Sequence, residues 1–556
     1  MKKSGRMLAL VLSLLLLATS FAGCGGNKQQ AANADQKAAG QQASTSSGDQ
    51  ANTLPIVKSP LTLSIFWDMD AKATATMKSY AEIGMFREME KRTGIKIDWK
   101  HPATGQGKEQ FNLMLASRDM ADMIYWDWRN NVTGGPGKAI QDGNIVKLND
   151  LIDKNCPNFK KVFNDNPEWK KQSILDDGSY YMFPFIREEK LLRLSSAFQI
   201  RQDWLDKLGL KVPTTIDEWY TVLKAFKEKD PNGNGKQDEI PFVSIGAGAT
   251  FGTTTPTIRA FEFAYGIIHG FYLNSGKVDY GPIQAAYKDY LITMNKWYKE
   301  GLIDNEYLAT DLKSFTTKVS THQAGAYHGM VSGYMGMFTD LVRPNYPNFK
   351  MTGVPFPKGP AGKSYGTLDF NSPGGGMAIT TTNKHQVEAA RWLDYLYSPE
   401  GKMLSNFGIE NESYTMVNGE PKYTDKVLKN KEVPSVPSAL IRYAMSISSG
   451  PFIQDKRYLP QILVYPEQNE AVQTWINSSD PSLLMPPVTP TQDESQKLSS
   501  IMNEINTYTD EMFNKFIMGL EPIDNYDKYV QRVKGLGIDN AIKIQQAALD
   551  RYNNRK

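Results

Sequence analysis

Two cysteines in 556 residues, Cys24 and Cys156, leave the chain no material for a disulfide framework. Histidine is nearly as scarce. His101, His269, His322, His328 and His385 form no His-Glu-x-x-His motif, and His322 with His328 lacks the spacing of a zinc-binding helix. No Gly-x-Ser-x-Gly elbow is present. Gly362-Lys363-Ser364 resembles the end of a phosphate loop, but Pro357 stands where its first glycine belongs, so Pro357–Gly362 reads as a surface turn. Past the N-terminus no stretch has the roughly 18 apolar residues needed to span a bilayer, which excludes a chain that is itself a transport path. The 60 acidic residues guarantee carboxylate pairs somewhere, so they neither support nor exclude a glycosidase dyad.

The N-terminus is the most informative stretch that is present. Lys2, Lys3 and Arg6 precede an apolar run from Met7 to Leu17 and then Ser20-Phe21-Ala22-Gly23-Cys24. A basic start, a short apolar run and small residues mark an export signal over residues 1–23 rather than a spanning helix. Cysteine directly after Ala-Gly resembles the bacterial lipobox, with Phe21 where leucine is usual. Cleavage there leaves Cys24 to carry lipid, which places the protein at the outer face of a cytoplasmic membrane. Residues 24–58 are Gly, Asn, Gln, Ala, Ser, Thr and Lys with few large apolar side chains, too little to offset ordering entropy. Such a linker reaches roughly 30 Å. Losing Lys2, Lys3 and Arg6 brings 63 basic residues level with 60 acidic ones, which argues against nucleic acid as partner. Cys156, then alone, reads as a small buried side chain.

The body is too long for one core, so more than one domain is expected. Leu61–Trp67, Ile95–Trp99 and Asp122–Trp126 read as strands. Helices near Tyr80–Lys91 and around Phe111–Leu115 separate them, and β-α-β-α-β order implies a parallel sheet. Asp177-Gly178 suggests a hairpin, and Leu191–Ile200 a long strand crossing between lobes. Thr215-Ile216-Asp217-Glu218 has capping-box spacing. Further helices are predicted over Ala286–Tyr298 and Val387–Leu396, the latter ending near Ser398-Pro399. Trp204 and Trp219 are expected to pack helices.

Ligands of parallel sheets gather at the carboxyl ends of strands. Trp67-Asp68 and Trp126-Asp127-Trp128-Arg129 lie at two such ends, offering aromatic faces and planar hydrogen-bonding groups of the kind sugars need. Tyr327, with His328 and Tyr334, and Asn371, with Phe370, lie in Gly-rich segments and are the candidates from the second half. Arg129, Arg187 or Arg201 could meet an acidic sugar, so ligand charge stays open. One metal site is argued from spacing. Asp230, Asn232, Asn234 and Asp238 occupy positions 1, 3, 5 and 9 of a loop with glycine at 6, and Ca2+ takes about 6 to 8 oxygens from such a turn, including the carbonyl of Lys236 at position 7. Pro241 stands at position 12, where an EF-hand has glutamate, and Glu239 at position 10 is the substitute expected.

The tracts Arg201–Thr215, Trp392–Gly401 and Gly408–Tyr414 resemble the extracellular solute-binding lipoproteins that feed sugar ABC importers, with Asn411 where glycine is common. The resemblance implies an α/β, two-lobed periplasmic-binding-protein-like fold (type II) with a hinge and an interlobe cleft. It also implies an oligosaccharide ligand, permease subunits as partners, no chemistry and a monomer. The 230–239 loop is similar to the calcium loop of alginate-binding members. Residues 59–200 would begin the N-terminal lobe, 201–375 would form most of the C-terminal lobe with the calcium loop, and 376–556 would complete that lobe with the hinge crossings and a helical end. The alternative is a surface-anchored polysaccharide hydrolase or lyase.

Overall fold

The computed structural model describes residues 53–246, 255–433 and 435–555. The export signal, Cys24 and most of the 24–58 linker lie outside these residues. The strands of the two main sheets are β1 (Leu61–Phe66), β2 (Ile95–Lys100), β3 (Met123–Asp127), β4 (Phe183–Pro184), β5 (Ser196–Arg201), β6 (Ile240–Val243), β7 (Ala324–Met330), β8 (Met351–Gly353) and β9 (Gly375–Ile379).

The first sheet has the order β2-β1-β3-β9-β4. Its β1, β2 and β3 are parallel, as the β-α-β-α-β pattern demands, and β9 returns antiparallel beside β3. Ser64 and Asp122 lock the register: Ser64 N and Oγ both donate to Asp122 Oδ2 at 2.8 Å. The second sheet has the order β8-β5-β7-β6, with β7 antiparallel to β5 and parallel to β6. Each sheet has its own core. Trp67, Tyr80, Phe86 and Trp99 cluster in the first lobe, Phe198, Trp219, Phe242 and Phe261 in the second. Burying such rings dominates the stability of both lobes.

Three segments run between the sheets and meet side by side. Ile186–Arg187 pairs in parallel with Ile453–Gln454, and Arg187 N donates to Asn371 O at 2.8 Å. The 375–395 segment packs into the first core through β9 and the helix Gln386–Tyr395, where the sequence reading gives 376–556 to completion of the C-terminal lobe, the hinge crossings and a helical end. The next helix, Pro399–Phe407, touches both cores, Leu404 in the first and Phe407 in the second. The reason is a tertiary pairing, β9 on β3, that no local pattern announces.

Local expectations fare unevenly. The Thr215 capping box forms and opens Ile216–Glu228. Leu191–Ile200 is not one strand: Lys190–Arg193 is a helical turn, and pairing begins only at Ser196. Asp177-Gly178 makes a tight turn, Gly178 at φ 79°, closed by a single bridge from Ile174 to Tyr180 rather than by paired strands. The helix expected over Val387–Leu396 forms as Gln386–Tyr395, and Ser398 then caps the next one, accepting from Gly401 N at 3.0 Å. Cys156 is buried and its thiol pKa is raised by burial, the acidic Asp394 adding to the effect. A thiol reagent should therefore label Cys156 only in denaturant; rapid labelling of the folded protein would contradict its placement.

Candidate functional site

The end of β3 gathers a polar group at the carboxyl end of this central strand. Trp126 stacks face to face on Phe111, 4.2 Å between ring centres, and its Nε1 donates to Asn131 O at 3.2 Å. Asp127 turns back to accept from Asn130 N at 3.1 Å and Asn130 Nδ2 at 2.9 Å. Gly374, at φ 123°, explains why these groups can gather. A Cβ there would stand 3.0 Å from both Arg129 Nη2 and Asp127 Oδ1 and 3.3 Å from Asn130 Nδ2. Arg129 Nη1 is buried with no hydrogen-bond partner, an unusual state for a guanidinium.

Arg129, Asn130 and Asn131 form one wall of a cavity of about 700 Å³. Lys108, Asn112 and the turn Val132–Pro136 extend the same wall from the first lobe. Phe370, Phe271 and the proline-rich strap Met485–Pro490 close it from the other side. A second cavity, of about 430 Å³, lies at the carboxyl edge of β6 and β7, lined by Arg259, Glu262, His269, His328 and Tyr334 among others. No sequence motif marked Arg259, Glu262 or His269. Their only signal was polar side chains interrupting an otherwise aromatic run.

The other predicted residues are placed as follows. Asp68 is exposed, and Gly107 gives it room, since a Cβ there would meet Asp68 Oδ2 at 2.8 Å. Trp67 is buried, stacked on Tyr125 at 4.5 Å. Trp128 is 0 % exposed with its ring edge-on to Phe111, so in this state it is core, a correction to its expected place in the cleft. Tyr327 is likewise buried, between Phe315 and Phe338. Asn371 belongs to the crossing strip: its Nδ2 donates to Arg187 O at 2.7 Å, and it is 7 % exposed. Of the three arginines considered for an acidic ligand, Arg187 is ion-paired with Asp369 and Arg201 with Asp203. Arg129 makes no ion pair among the described residues.

The 230–239 loop folds around Asp230, whose φ is 44° and whose carboxylate accepts from the N–H groups of Gly233, Asn234 and Gly235 at 2.9 to 3.1 Å. Asn232 Nδ2 and Asn234 Nδ2 both donate to Asp238 Oδ1 at 3.0 Å, and Lys236 N donates to Asn234 Oδ1 at 2.8 Å. Glu239 is the misfit. It is 2 % exposed, and neither carboxylate oxygen has a partner. Burial raises its pKa, and Asp230 and Asp238 push it further the same way. Among the described residues no group of three or more His, Cys, Asp or Glu stands arranged as a metal site. The loop nevertheless gathers hard oxygen donors, the carboxylates of Asp230, Asp238 and Glu239 with the amide oxygens of Asn232 and Asn234, within ten residues. These residues fit a hard cation.

The profile of the bacterial extracellular solute-binding proteins matches residues 68–403, more than half of the chain. The chain belongs to that family. Solute-binding proteins of this family bind rather than transform, so the chain is not an enzyme and the hydrolase or lyase alternative falls. The chain is 27 % identical over 505 residues to the fructooligosaccharide ABC transporter substrate-binding protein FusA of Streptococcus pneumoniae serotype 4, covering 88 % of this chain and 90 % of FusA. It is 26 % identical over 379 residues to lipoprotein LipO of Bacillus subtilis, covering 67 % and 72 %. Among solved structures, the alginate-binding protein AlgQ2 without calcium ion superposes with a TM-score of 0.73 at 28 % identity, covering 89 % of this solute-binding protein and 99 % of AlgQ2. The two-lobed fold implied by the sequence resemblance is the fold of these relatives.

Proposed function

We propose that this solute-binding protein is the lipid-anchored receptor of an ABC importer, catching an oligosaccharide between its lobes and passing it unaltered to membrane permeases. The observation that carries this is the gathering of Asp127, Arg129 and Asn130 around the bare backbone of Gly374, with Arg129 and Asn130 also lining a cavity that Phe271, Phe370 and Met485–Pro490 complete, and Trp126 next to Asp127 in the strand. An aromatic face beside planar donors and acceptors suits a sugar ring. Contacts from both lobes would exist together only when the lobes close, which couples binding to closure. Relatives named for fructooligosaccharide and alginate support the ligand class. LipO supports the anchor, which Cys24 would carry on the outer face of the cytoplasmic membrane, and a monomer suffices for the task. Asp68 would border the cleft, with Trp67 packed behind it in the core.

Ca2+ would brace the 230–239 loop, held by side-chain oxygens of Asp230, Asn232, Asn234, Asp238 and Glu239 and the Lys236 carbonyl. It offers Glu239 the counter-charge its burial lacks. The test is a thermal-shift screen of oligosaccharides with and without Ca2+. A ligand at a hundredfold excess over its Kd adds about 2.7 kcal/mol of stability. Wild type should melt higher with Ca2+ than with EDTA, and Glu239→Gln should not respond. Identical melting of wild type in both would remove the metal. Shortened or unsaturated sugars after long incubation would remove the receptor.

A further inference from the structure

The strap Met485–Pro490 forms one wall of the cavity of about 700 Å³, and three of its six residues are proline, which has no N–H to donate. Such a segment cannot join a sheet ladder, yet buried backbone groups almost always find partners. The strap's one backbone–backbone bond among the described residues runs from Val488 N to Pro486 O at 2.7 Å. Side chains outside the strap set its position instead. Ser495 Oγ, on the long helix Gln492–Met518, donates to Pro490 O at 3.3 Å. Arg555, just past the helix Ile538–Asn553, donates from Nη1 to Pro487 O at 3.4 Å and from Nη2 to Thr489 Oγ1.

The same guanidinium is tied to the first lobe. Asp176 lies in the turn between Ile174 and Tyr180, beside Leu175, which packs on the core around Ile124. Its Oδ1 accepts from Arg555 Nε at 2.7 Å, and its Oδ2 accepts from Arg551 Nε at 2.8 Å. Lys171 O accepts a further bond from Arg555 Nη1 at 3.1 Å. Arg551 Nη1 in turn donates to Glu494 Oε1, in the first turn of the long helix, at 3.0 Å. The helix that carries Arg551 packs into the second core through Ile538 and Ala541, so a single carboxylate of the first lobe holds two guanidiniums of the second. The Arg555 side chain is 1 % exposed and lies 4.8 Å over the Tyr552 ring, a placement that a charged group keeps only while its partner is present.

We propose that Arg555 and Asp176 are positioning residues for ligand capture, fixing the strap across the two lobes as a wall of the cavity, which presupposes that an oligosaccharide binds there. Neither side chain lines the cavity, so both act through Pro487 and Thr489, which do. Thr489 joins the two, since its hydroxyl accepts from Arg555 and donates to Asp176 Oδ1 at 3.4 Å. Proline presets φ at three positions of the strap, so pinning it at Pro487 and Thr489 fixes the wall as a whole. A strap left unpinned would have to be ordered each time a sugar binds, and that entropy cost weakens affinity without removing any contact.

Calorimetry on the full chain, well below its melting temperature, tests this with kestose, cellotriose, maltotriose, mannotriose and trigalacturonate as probes. Hydrogen exchange of the strap is measured beside it in the sugar-free protein. With the probe that binds tightest, Arg555→Ala and Asp176→Asn should each weaken affinity about tenfold, the scale of ordering one or two side chains. The amides of Val488 and Thr489 should exchange severalfold faster. Arg555→Lys keeps a charge for Asp176 but cannot fork to Pro487 and Thr489, so it should melt closer to wild type than Arg555→Ala and still lose affinity. A merely structural pair would lower the melting temperature of these variants and leave both the affinity of the folded protein and the strap's exchange unchanged. That result overturns the positioning role and leaves the receptor standing. Should Arg555→Ala fail to fold, Thr489→Val, which removes only the shared hydroxyl, decides by the strap's exchange without sugar, where a lost ligand contact has no effect. Silence from all five probes overturns both the positioning role and the oligosaccharide reading beneath it.

Discussion

Asp203→Ala should cost about 3–5 kcal/mol of stability, because it leaves a fully buried arginine without its counter-ion. Arg201 is 0 % exposed. Its Nε donates to Asp203 Oδ1 at 2.8 Å and its Nη2 to Asp203 Oδ2 at 2.6 Å, a two-pronged pair. The guanidinium is sandwiched between Trp204 and Phe349, 4.6 and 4.7 Å from their ring centres. His322 offers no replacement charge. Burial, with Arg201 beside it, holds its pKa down to about 4, so it serves only as a neutral partner to Nη2. Urea unfolding measures the loss. The double variant Arg201→Met with Asp203→Leu, which removes both charges, should recover most of it. A single variant as stable as wild type would show the pair to be idle.

Trp128→Ala and Trp126→Ala should part company although the two residues are two positions apart. Trp128 is wholly enclosed, and emptying that volume costs about 3–5 kcal/mol with a large fall in melting temperature. Trp126 is partly exposed on top of Phe111, so its loss should leave folding nearly intact. The cost falls on sugar affinity instead, about 1 kcal/mol or roughly fivefold, the worth of one aromatic contact. Melting curves and calorimetry on both variants separate the roles. If Trp128→Ala folds normally and loses the sugar, the buried assignment is wrong.

The same pair shows where local pattern stops. Alternation along β3 placed Trp126, Asp127, Trp128 and Arg129 at a strand end, but after Asp127 the chain leaves the strand, and period two no longer tells which side chain turns inward. Arg259, Glu262 and His269 carried no motif. They are drawn together only by tertiary contacts, among them Asp510, some 250 residues further along the chain, which pairs with Arg259 and His269.

By itself the sequence determined the features that local chemistry decides. These are the parallel start of the first sheet, the capping box at Thr215, the spacing of the 230–239 loop, the solitary Cys156 and, through its tracts, the family. Only the tertiary structure decided the return of β9 to the first lobe, the use of Asn371 as a crossing bond, the commitment of Arg187 and Arg201 to carboxylates and the isolation of Arg129. The physical reason is range. Propensity, capping and turn geometry act over a few residues, whereas the partner that neutralises a charge or covers a ring is chosen by packing across hundreds.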